Sequence, residues 1–442
     1  MKLRALLLLL VCAACLLSAC TAAPAPTDEE TPSTEALETD VPVPEHALLL
    51  FDGEAFRLSV IVSEEASQTV RSAALSVVNA LEALGNGKAT VTFREDFMRD
   101  EAAIREAKDE VLVGATNRPA GIAAQRNAVL KFTHSVSVND DRAVLAGCDD
   151  GEVQNAATYF CQTYLPAHLF RSGKAVYLLP GSYEGPSADL SFIAHAVAYD
   201  RIGEQLTYKT EQVLDVPGVA DTIYNIQQGA CIDDKGKYGY FVMRDPDDNC
   251  ALVKYDLETG KLVASKTNIG CAHGNDACYN PQNNTVVVSH CTIEPRFLSV
   301  FNADTLELIR RVDTGLNNSA VDYCPSRGLY VIMGGGYFYY LDADFKLVEQ
   351  HPTRLTPYTS QGIHCDDRYI YRVESSSSEI KGNVIEIYDW EGNYLLFLPL
   401  PDISIETETL AHLGADLYVI CYVGKKKGGR IYKMSLDLKE ND

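Results

Sequence analysis

The sequence lacks the motifs of the commonest catalytic and cofactor sites. After residue 20 it has no C-x-x-C pair, no G-x-S-x-G or H-E-x-x-H motif, and no glycine-rich phosphate or dinucleotide loop. These absences give no support to a zinc knuckle, a thioredoxin-type site, a serine hydrolase, a zinc protease or a nucleotide-binding protein. The sequence therefore predicts neither a metal nor a cofactor.

Positive charge and long apolar runs are also scarce. The chain has 38 lysines and arginines against 61 aspartates and glutamates, for a formal net charge of −23. Nucleic acids and anionic membrane surfaces attract basic patches, so neither is expected as a partner. After residue 20 no stretch reaches the roughly 18 apolar residues that a membrane-spanning helix needs.

The first twenty residues carry an export signal. Lys2 and Arg4 precede an apolar run over residues 5–17, which is short for a bilayer span. The run ends in the segment 17–20 (LSAC), which resembles the lipobox of bacterial lipoproteins. The resemblance implies removal of residues 1–19 and lipidation of Cys20, which would hold the protein on the outer face of the bacterial cytoplasmic membrane. The alternative is an ordinary secretory signal with a chance cysteine.

Residues 20–45 are expected to be a disordered, acidic, proline-rich tether. Segment 21–45 contains five prolines and seven acidic residues but no lysine or arginine. It cannot bury enough apolar surface to offset its ordering entropy, and its like charges keep it extended.

Residues 46–190 alternate strand and helix patterns and predict an α/β domain. Strands are expected at 57–62, 89–93, 111–114, 135–138 and 143–146, with helices at 67–84, 101–108 and 152–164. Segments 111–119 (VLVGATNRP), 142–147 (RAVLAG) and 156–160 (AATYF) resemble the accessory N-terminal domain of α-glucuronidases and β-hexosaminidases. That resemblance implies a non-catalytic module. Asn117 and Arg118 are expected to cap the following helix, or alternatively to contact a sugar.

Residues 191–442 contain a fivefold repeat. The repeat starts lie 45, 46, 42 and 45 residues apart, and each is followed by a β-rich run. A period near 45 with about four short strands per unit is typical of a β-propeller blade, so an all-β five-bladed propeller is expected. Segment 205–216 resembles a fourth strand, and we expect it to close the last blade beside segment 431–434. The first residues of the five starts are Gln228, His273, Ser319, Gln361 and Glu406.

These polar positions are the candidate ligand site. The residues after them are small, as crowded inner strands require. The expected ligand-binding residues, at one mouth of the channel, are Gln228, His273, Asp276, Asp322, Gln361, His364, Glu406 and Glu408. For Gln228 and Gln361 the alternative is a structural hydrogen bond to the next blade.

Three functions remain open from the sequence. The first is a surface protein that recognises a glycan or another cell-surface ligand. The second is a glycoside hydrolase. Five-bladed propeller glycosidases place three carboxylates in a central funnel, and Asp276, Asp322 and Glu406 resemble that set. In such enzymes the acid and base carboxylates must stand about 5 to 9.5 Å apart. The third is a protein-binding scaffold.

Overall fold

The computed structural model describes residues 41–437 except 86, 88, 97, 220–221, 272, 292–295, 377–381 and 425–426. The expected signal peptide, Cys20 and most of the expected tether lie outside the described residues. Val43–Asp442 forms one compact unit. In the described part of the chain, no helix combines the length and apolarity that a membrane crossing would need.

The N-terminal part of this unit is an α/β arrangement with two sheets. One sheet has the strand order β3-β2-β4-β6-β5-β9, and the other has the order β1-β8-β7. In the larger sheet β3, β2, β4 and β6 are parallel, while β5 and β9 are antiparallel to their neighbours. The strands are β1 (Leu48–Phe51), β2 (Ser59–Ser63), β3 (Thr92–Asp96), β4 (Glu110–Val113), β5 (His134–Val138), β6 (Arg142–Gly147), β7 (Leu169–Ser172), β8 (Ala175–Leu178) and β9 (Gly181–Glu184).

Helices cover both faces of the larger sheet, and side chains that accept backbone N–H groups fix where most of them begin. Ser67, Asp100, Asp149 and Ser191 each cap the helix that follows. The helices are α1 (Gln68–Glu82), α2 (Glu101–Glu106), α3 (Pro119–Lys131), α4 (Asp150–Tyr159), α5 (Leu165–His168) and α6 (Phe192–Arg201), with a 3-10 turn (Ala83–Gly85) and a π-helical turn (Phe160–Tyr164).

Two local expectations for this part were wrong, and a third held with a change of helix type. Strand β3 covers Thr92–Asp96 instead of 89–93, because it is an edge strand on which charged residues are tolerated. The helix expected at 152–164 ends as α-helix at Tyr159 and continues as the π-helical turn. Arg118 occupies the N-cap position of α3, which begins with Pro119, but no side chain makes a capping hydrogen bond to this helix.

Arg118 is instead the centre of a buried ion cluster. Its guanidinium binds Glu110, with Nη2 2.8 Å from Oε1, and it also binds Asp96. All three side chains are almost completely buried. Asn117 donates from Nδ2 to the backbone oxygen of Met98 at 2.8 Å. Because Arg118, Asp96 and Glu110 satisfy one another below the surface, the Arg118 guanidinium is unavailable to a sugar, whereas Asn117 is half-buried.

The remainder of the described chain is mostly β and forms five four-stranded antiparallel sheets, here called repeat sheets 1 to 5. In each sheet the first strand in the repeat lies at one edge. Sheet 1 contains β11 (Ile226–Ile232), β12 (Tyr238–Arg244), β13 (Cys250–Asp256) and β14 (Lys261–Thr267), and sheet 2 contains β15 (Asp276–Asn280), β16 (Thr285–Ser289), β17 (Phe297–Asn302) and β18 (Leu308–Asp313). Sheet 3 contains β19 (Ala320–Cys324), β20 (Leu329–Gly334), β21 (Tyr337–Leu341) and β22 (Leu347–Pro352). Sheet 4 contains β23 (Thr359–Cys365), β24 (Tyr369–Ser375), β25 (Val384–Asp389) and β26 (Tyr394–Pro399).

Sheet 5 joins the two ends of the repeat region. It contains β27 (Glu406–Leu413), β28 (Asp416–Tyr422) and β29 (Gly429–Leu436), and its fourth strand is β10 (Tyr208–Val216). Strand β10 pairs antiparallel with β29 from Tyr208 opposite Leu436 to Val216 opposite Gly429. The upstream segment therefore lies where the repeat pattern placed it.

The first strands of the five sheets, here called the inner strands, contact one another in cyclic order and form a closed ring. Their backbones approach closely. A Cβ atom on Gly229 would lie 2.3 Å from Asp276 Cα, and one on Gly362 would lie 2.5 Å from the backbone oxygen of Glu408. Only glycine fits these two contacts, which explains the small residues in the repeat.

Each pair of neighbouring sheets encloses its own apolar cluster. The cluster between sheets 4 and 5 also contains Phe192, Ile193 and Val197 of α6. It extends to Val129 and Cys148 of the α/β part. Helix α6 therefore packs the α/β part onto the repeat sheets.

Ten cysteines follow Cys20, and all ten lie in the described part of the chain. Eight are buried, and Cys161 and Cys291 are half-buried. Most lie inside strands, where a thiol packs as a small apolar group.

Candidate functional site

The centre of the inner-strand ring is filled by polar side chains. Asp276 is fully buried, and its Oδ2 accepts the backbone N–H of Val321 at 3.2 Å and of Ile363 at 3.0 Å, from sheets 3 and 4. Its Oδ1 accepts the N–H of Ala277 at 2.9 Å. Burial, opposed by these amides, raises the pKa of Asp276 well above its usual range, and the charge of Asp322 adds to the rise. Asp276 thus joins three sheets.

A cavity of about 430 Å³ lies at one end of the ring, where the inner strands finish. We call it the axial cavity. Every inner strand supplies residues to it, and no lysine or arginine lies among its described lining. Its walls combine apolar groups with a few polar ones, which is typical of small-molecule sites. The lining residues are Cys231, Ile232, Asp233, Asp234, Ala277, Tyr279, Pro281, Asp322, Tyr323, Cys324, Pro325, Ser326, His364, Cys365, Asp366, Asp367, Leu410, Ala411 and His412.

An aspartate–histidine pair lies in this cavity. His364 Nδ1 is 2.7 Å from Asp322 Oδ2, which also accepts the backbone N–H of Cys365 at 2.7 Å. Burial opposes the charged imidazole, but the charge and hydrogen bond of Asp322 prevail and raise the pKa of His364 above its ordinary value. The pair can accept a hydrogen bond from a ligand or, as an imidazolium, donate one.

His412 lies beside this pair. Its ring centroid is 5.2 Å from that of His364 and 5.2 Å from that of Tyr371. Neither ring nitrogen of His412 has a hydrogen-bond partner among the described residues, although both atoms are buried. Burial and then the neighbouring His364 lower the pKa of His412 well below its ordinary value, so the ring is neutral near pH 7. A neutral imidazole offers one donor and one acceptor.

The structure does not bring all the predicted site residues to one mouth. Asp322 and His364 line the axial cavity, whereas the other six do not. His273 lies in the loop before β15, with Nδ1 3.3 Å from Asp248 Oδ1. Burial and then Arg244 lower the pKa of His273.

The remaining predicted residues lie toward the other end of the inner strands or inside the ring. Gln361 donates from Nε2 to Glu406 Oε1 at 2.8 Å, which links sheets 4 and 5. Gln228 donates to the backbone oxygen of Gln227 at 2.5 Å. Glu408 is 2 % exposed, and burial followed by the charge of Glu406 raises its pKa well above the usual range. Gln361 therefore bonds to the next sheet, as the structural alternative expected, whereas the Gln228 bond stays within its own strand.

The three carboxylates considered for glycoside hydrolysis are also separated. Asp322 lines the axial cavity, Asp276 is buried within the ring, and Glu406 is exposed at the beginning of β27. Two carboxylates that act on one glycosidic bond must face the same bound sugar. These three share no described cavity.

Sequence reasoning missed His412 and the acidic pairs Asp233–Asp234 and Asp366–Asp367 in the cavity lining. It compared the residues that begin each inner strand, whereas the cavity is built by the residues that end them. The signal was present, because two of the five inner strands run directly into Asp-Asp. Asp233 and Asp366 also accept backbone N–H groups of the following turns.

No arrangement of three or more histidine, cysteine, aspartate or glutamate side chains in the described residues could hold a metal ion.

Comparisons with known proteins give distant structural similarities. No family model and no curated protein matches the chain. The tail fibre of Staphylococcus aureus phage P68 is similar at a TM-score of 0.40 and 15% identity, over 53% of this chain and 54% of the fibre chain. Hydrazine synthase of Kuenenia stuttgartiensis is similar at a TM-score of 0.31 and 12% identity, over 47% of this chain and 58% of the synthase chain. The nidogen/laminin complex is similar at a TM-score of 0.32 and 14% identity, over 44% of this chain and 71% of the matched chain. At these scores none of them assigns a fold or a function to this chain.

Proposed function

We propose that this chain is a lipid-anchored extracytoplasmic protein that recognises a glycan in the axial cavity. In this proposal residues 1–19 are a signal peptide, Cys20 carries the lipid, and 20–45 form a tether. Residues 46–190 are an accessory-like module, and the five repeat sheets of 191–442 are the blades of a β-propeller. The cyclic contacts between inner strands support that architecture.

The main support for a binding site in this cavity is the imidazole of His412, whose ring nitrogens have no hydrogen-bond partner among the described residues. A buried polar atom without a hydrogen bond costs about 1–3 kcal/mol, and a ligand that supplies the bond removes the cost. His412 lies next to the Asp322–His364 pair, so acceptors and donors converge in one cavity. Sugar hydroxyls can both donate and accept, and their ring C–H groups suit the apolar walls.

The charge of the cavity narrows the ligand class. Carboxylates of Asp234, Asp322 and Asp367 lie in the lining, and no lysine or arginine lies among the described lining residues. An anionic ligand would be repelled, whereas neutral or amine-bearing sugars would not. The cavity volume of about 430 Å³ falls within the usual range for small ligands.

A glycan array probed with the full-length protein, followed by calorimetry on the best binder, tests this function. His412→Phe keeps the ring shape, and Asp322→Asn removes charge, so each should weaken binding by roughly 2- to 13-fold, corresponding to about 0.5–1.5 kcal/mol. Glu406→Gln, at the other end of the ring, is the matched control and should bind like the parent. Unchanged affinity in both cavity variants would refute the assignment.

The same material tests hydrolysis. A hydrolase would release product from the bound glycan, and Asp322→Asn would abolish turnover while still holding substrate. If no glycan binds at all, the outer surface of the sheets and a protein partner become the better hypothesis.

A further inference from the structure

The α/β part contains a second crevice, at the carboxyl edge of its parallel strands. Helices α1 and α4 pack on one face of the sheet against Val60, Val111 and Leu145. Helix α3 packs on the opposite face against Leu112 and Val144. The connections that leave the neighbouring strands β2 and β4 therefore run to opposite faces. Open α/β sheets bind their ligands at such a switch point.

A cavity of about 280 Å³ occupies this point, here called the switch-point cavity. It lies between the end of β2, the beginning of α1, the end of β4 and the beginning of α4. Gly114, with φ of +71°, lets the chain turn directly over the cavity. The lining residues are Ser63, Glu65, Ala66, Ser67, Val70, Gly114, Ala115, Gln125, Asp149, Asp150, Val153 and Arg201.

The side chain of Gln125 is a second and independent indication that a ligand binds here. Its side chain lines the cavity and is 8 % exposed. Nε2 donates to the backbone oxygen of Gly147 at 2.6 Å, which fixes the orientation of the amide. Oε1 is buried and has no hydrogen-bond partner among the described residues. A ligand that donates a hydrogen bond to Oε1 would satisfy it.

Two of the three carboxylates around the cavity are neutralised by ion pairs, and the third, Glu65, is exposed to solvent. Asp149 binds Arg368, and Asp150 binds Arg201 with Oδ1 2.9 Å from Nη1. Val70 and Val153 supply an apolar wall, while Ser63 and Ser67 supply hydroxyls. The N–H of Val70, in the first turn of α1, already donates to Ser67 Oγ at 3.3 Å, so the hydroxyls of Ser63 and Ser67 are the groups that can meet a ligand oxygen. The ligand should therefore be small, uncharged, hydroxylated on one side and apolar on another.

We infer that the switch-point cavity is a second binding site, for a single neutral pyranose sugar. Hydroxyls on the sugar reach Gln125 Oε1 and the hydroxyls of Ser63 and Ser67, and the C–H face of the ring contacts the valines. This site is separate from the axial cavity and does not depend on it. It gives the accessory-like module a binding role of its own.

Hydrogen–deuterium exchange of the full-length protein, in a detergent without a sugar headgroup, locates the site directly. D-glucose, D-galactose and N-acetyl-D-glucosamine are added separately in millimolar excess, and D-glucuronate serves as the charged comparator. At least one neutral sugar should slow exchange in segments 63–70 and 112–125, and D-glucuronate should do so less. Absence of protection there with all three neutral sugars would overturn the inference.

Two variants make the assignment specific. Ala115 is exposed at the cavity, so Ala115→Trp should block entry and abolish the protection without disturbing the core. Ala102→Trp, on the exposed side of α2, is the matched control and should leave the protection intact. Gln125→Met should raise the half-saturating sugar concentration by roughly two- to tenfold. His412→Phe should have no effect on these segments. Protection that survives Ala115→Trp in a folded variant would refute the site.

Discussion

Replacement of Asp276 by alanine tests whether the ring is held together by a buried carboxyl group. In the native protein Asp276 accepts the N–H groups of Val321 and Ile363, which belong to two other repeat sheets. Alanine leaves both donors inside the ring without that acceptor. Each unsatisfied buried donor costs about 1–3 kcal/mol, so Asp276→Ala should lower the free energy of unfolding by about 2–6 kcal/mol.

The dependence on pH provides a second signature of the same group. Burial raises the folded-state pKa of Asp276 well above its usual range, and the nearby Asp322 raises it further. The folded chain then binds the proton more tightly than the unfolded chain, so the stabilising contribution is full below about pH 4 and is lost as the pH rises through the folded pKa. The stability difference between parent and Asp276→Ala should therefore be largest in acid and decline toward neutral pH.

Urea unfolding of both proteins across this pH range measures the two effects. Asp344→Ala, at an exposed turn of sheet 3, is the control and should change the free energy of unfolding by less than about 0.5 kcal/mol. A loss below about 1 kcal/mol for Asp276→Ala, or a difference that grows with rising pH, would show that the carboxyl group does not join the sheets.

Three other outcomes are expected. Arg118→Met leaves the buried carboxylate of Asp96 without its cation and leaves Glu110 with only Arg94, whose Nη2 is 3.9 Å from Oε1, and should cost about 3–5 kcal/mol in unfolding experiments. Arg105→Met at an exposed pair should cost under about 1 kcal/mol, and equal losses would contradict the buried cluster. Burial lowers the pKa of His412, so the folded chain resists protonation of this ring and the parent should lose stability below about pH 6.5. His412→Phe should lose less stability over the same pH range, and identical pH profiles for the two proteins would contradict this expectation. Cys20→Ser should move the protein from the membrane fraction to the soluble fraction, or leave it uncleaved, and normal maturation with full membrane retention would exclude lipid anchoring.

The repeat was readable from the sequence because it rests on periodic chemistry. Turn residues and β-branched runs recur about every 45 residues, and each recurrence corresponds to one four-stranded sheet. The strands and helices of the α/β part were readable from apolar periodicity. The edge strand β3 was harder to locate from the sequence, because it carries Arg94 and Glu95 at the rim of its sheet, where no apolar pattern is required.

The site was harder to predict because it depends on register. Strand β11 begins at Ile226, two residues before Gln228, whereas β15 begins at Asp276, three residues after His273. The strands therefore do not begin at the same residue of each repeat unit. A shift of one residue also reverses which side of a strand a residue faces. Asp322 and His364 are the fourth residues of their repeat starts and reach the cavity, whereas Glu406 and His273 are first residues and do not.

The pairing of β10 with β29 has a consequence for how the chain folds. Residues about 220 positions apart form one edge of sheet 5, so this sheet is completed only after the last strand has been synthesised. Until then β10 has no native partner, and closure must overcome the entropy of a very long loop. Such distant pairings slow folding, and the unpaired strand edge invites contact with other chains in the interval. Protection of the nascent chain until its final strand arrives is thus a requirement that the ring itself imposes.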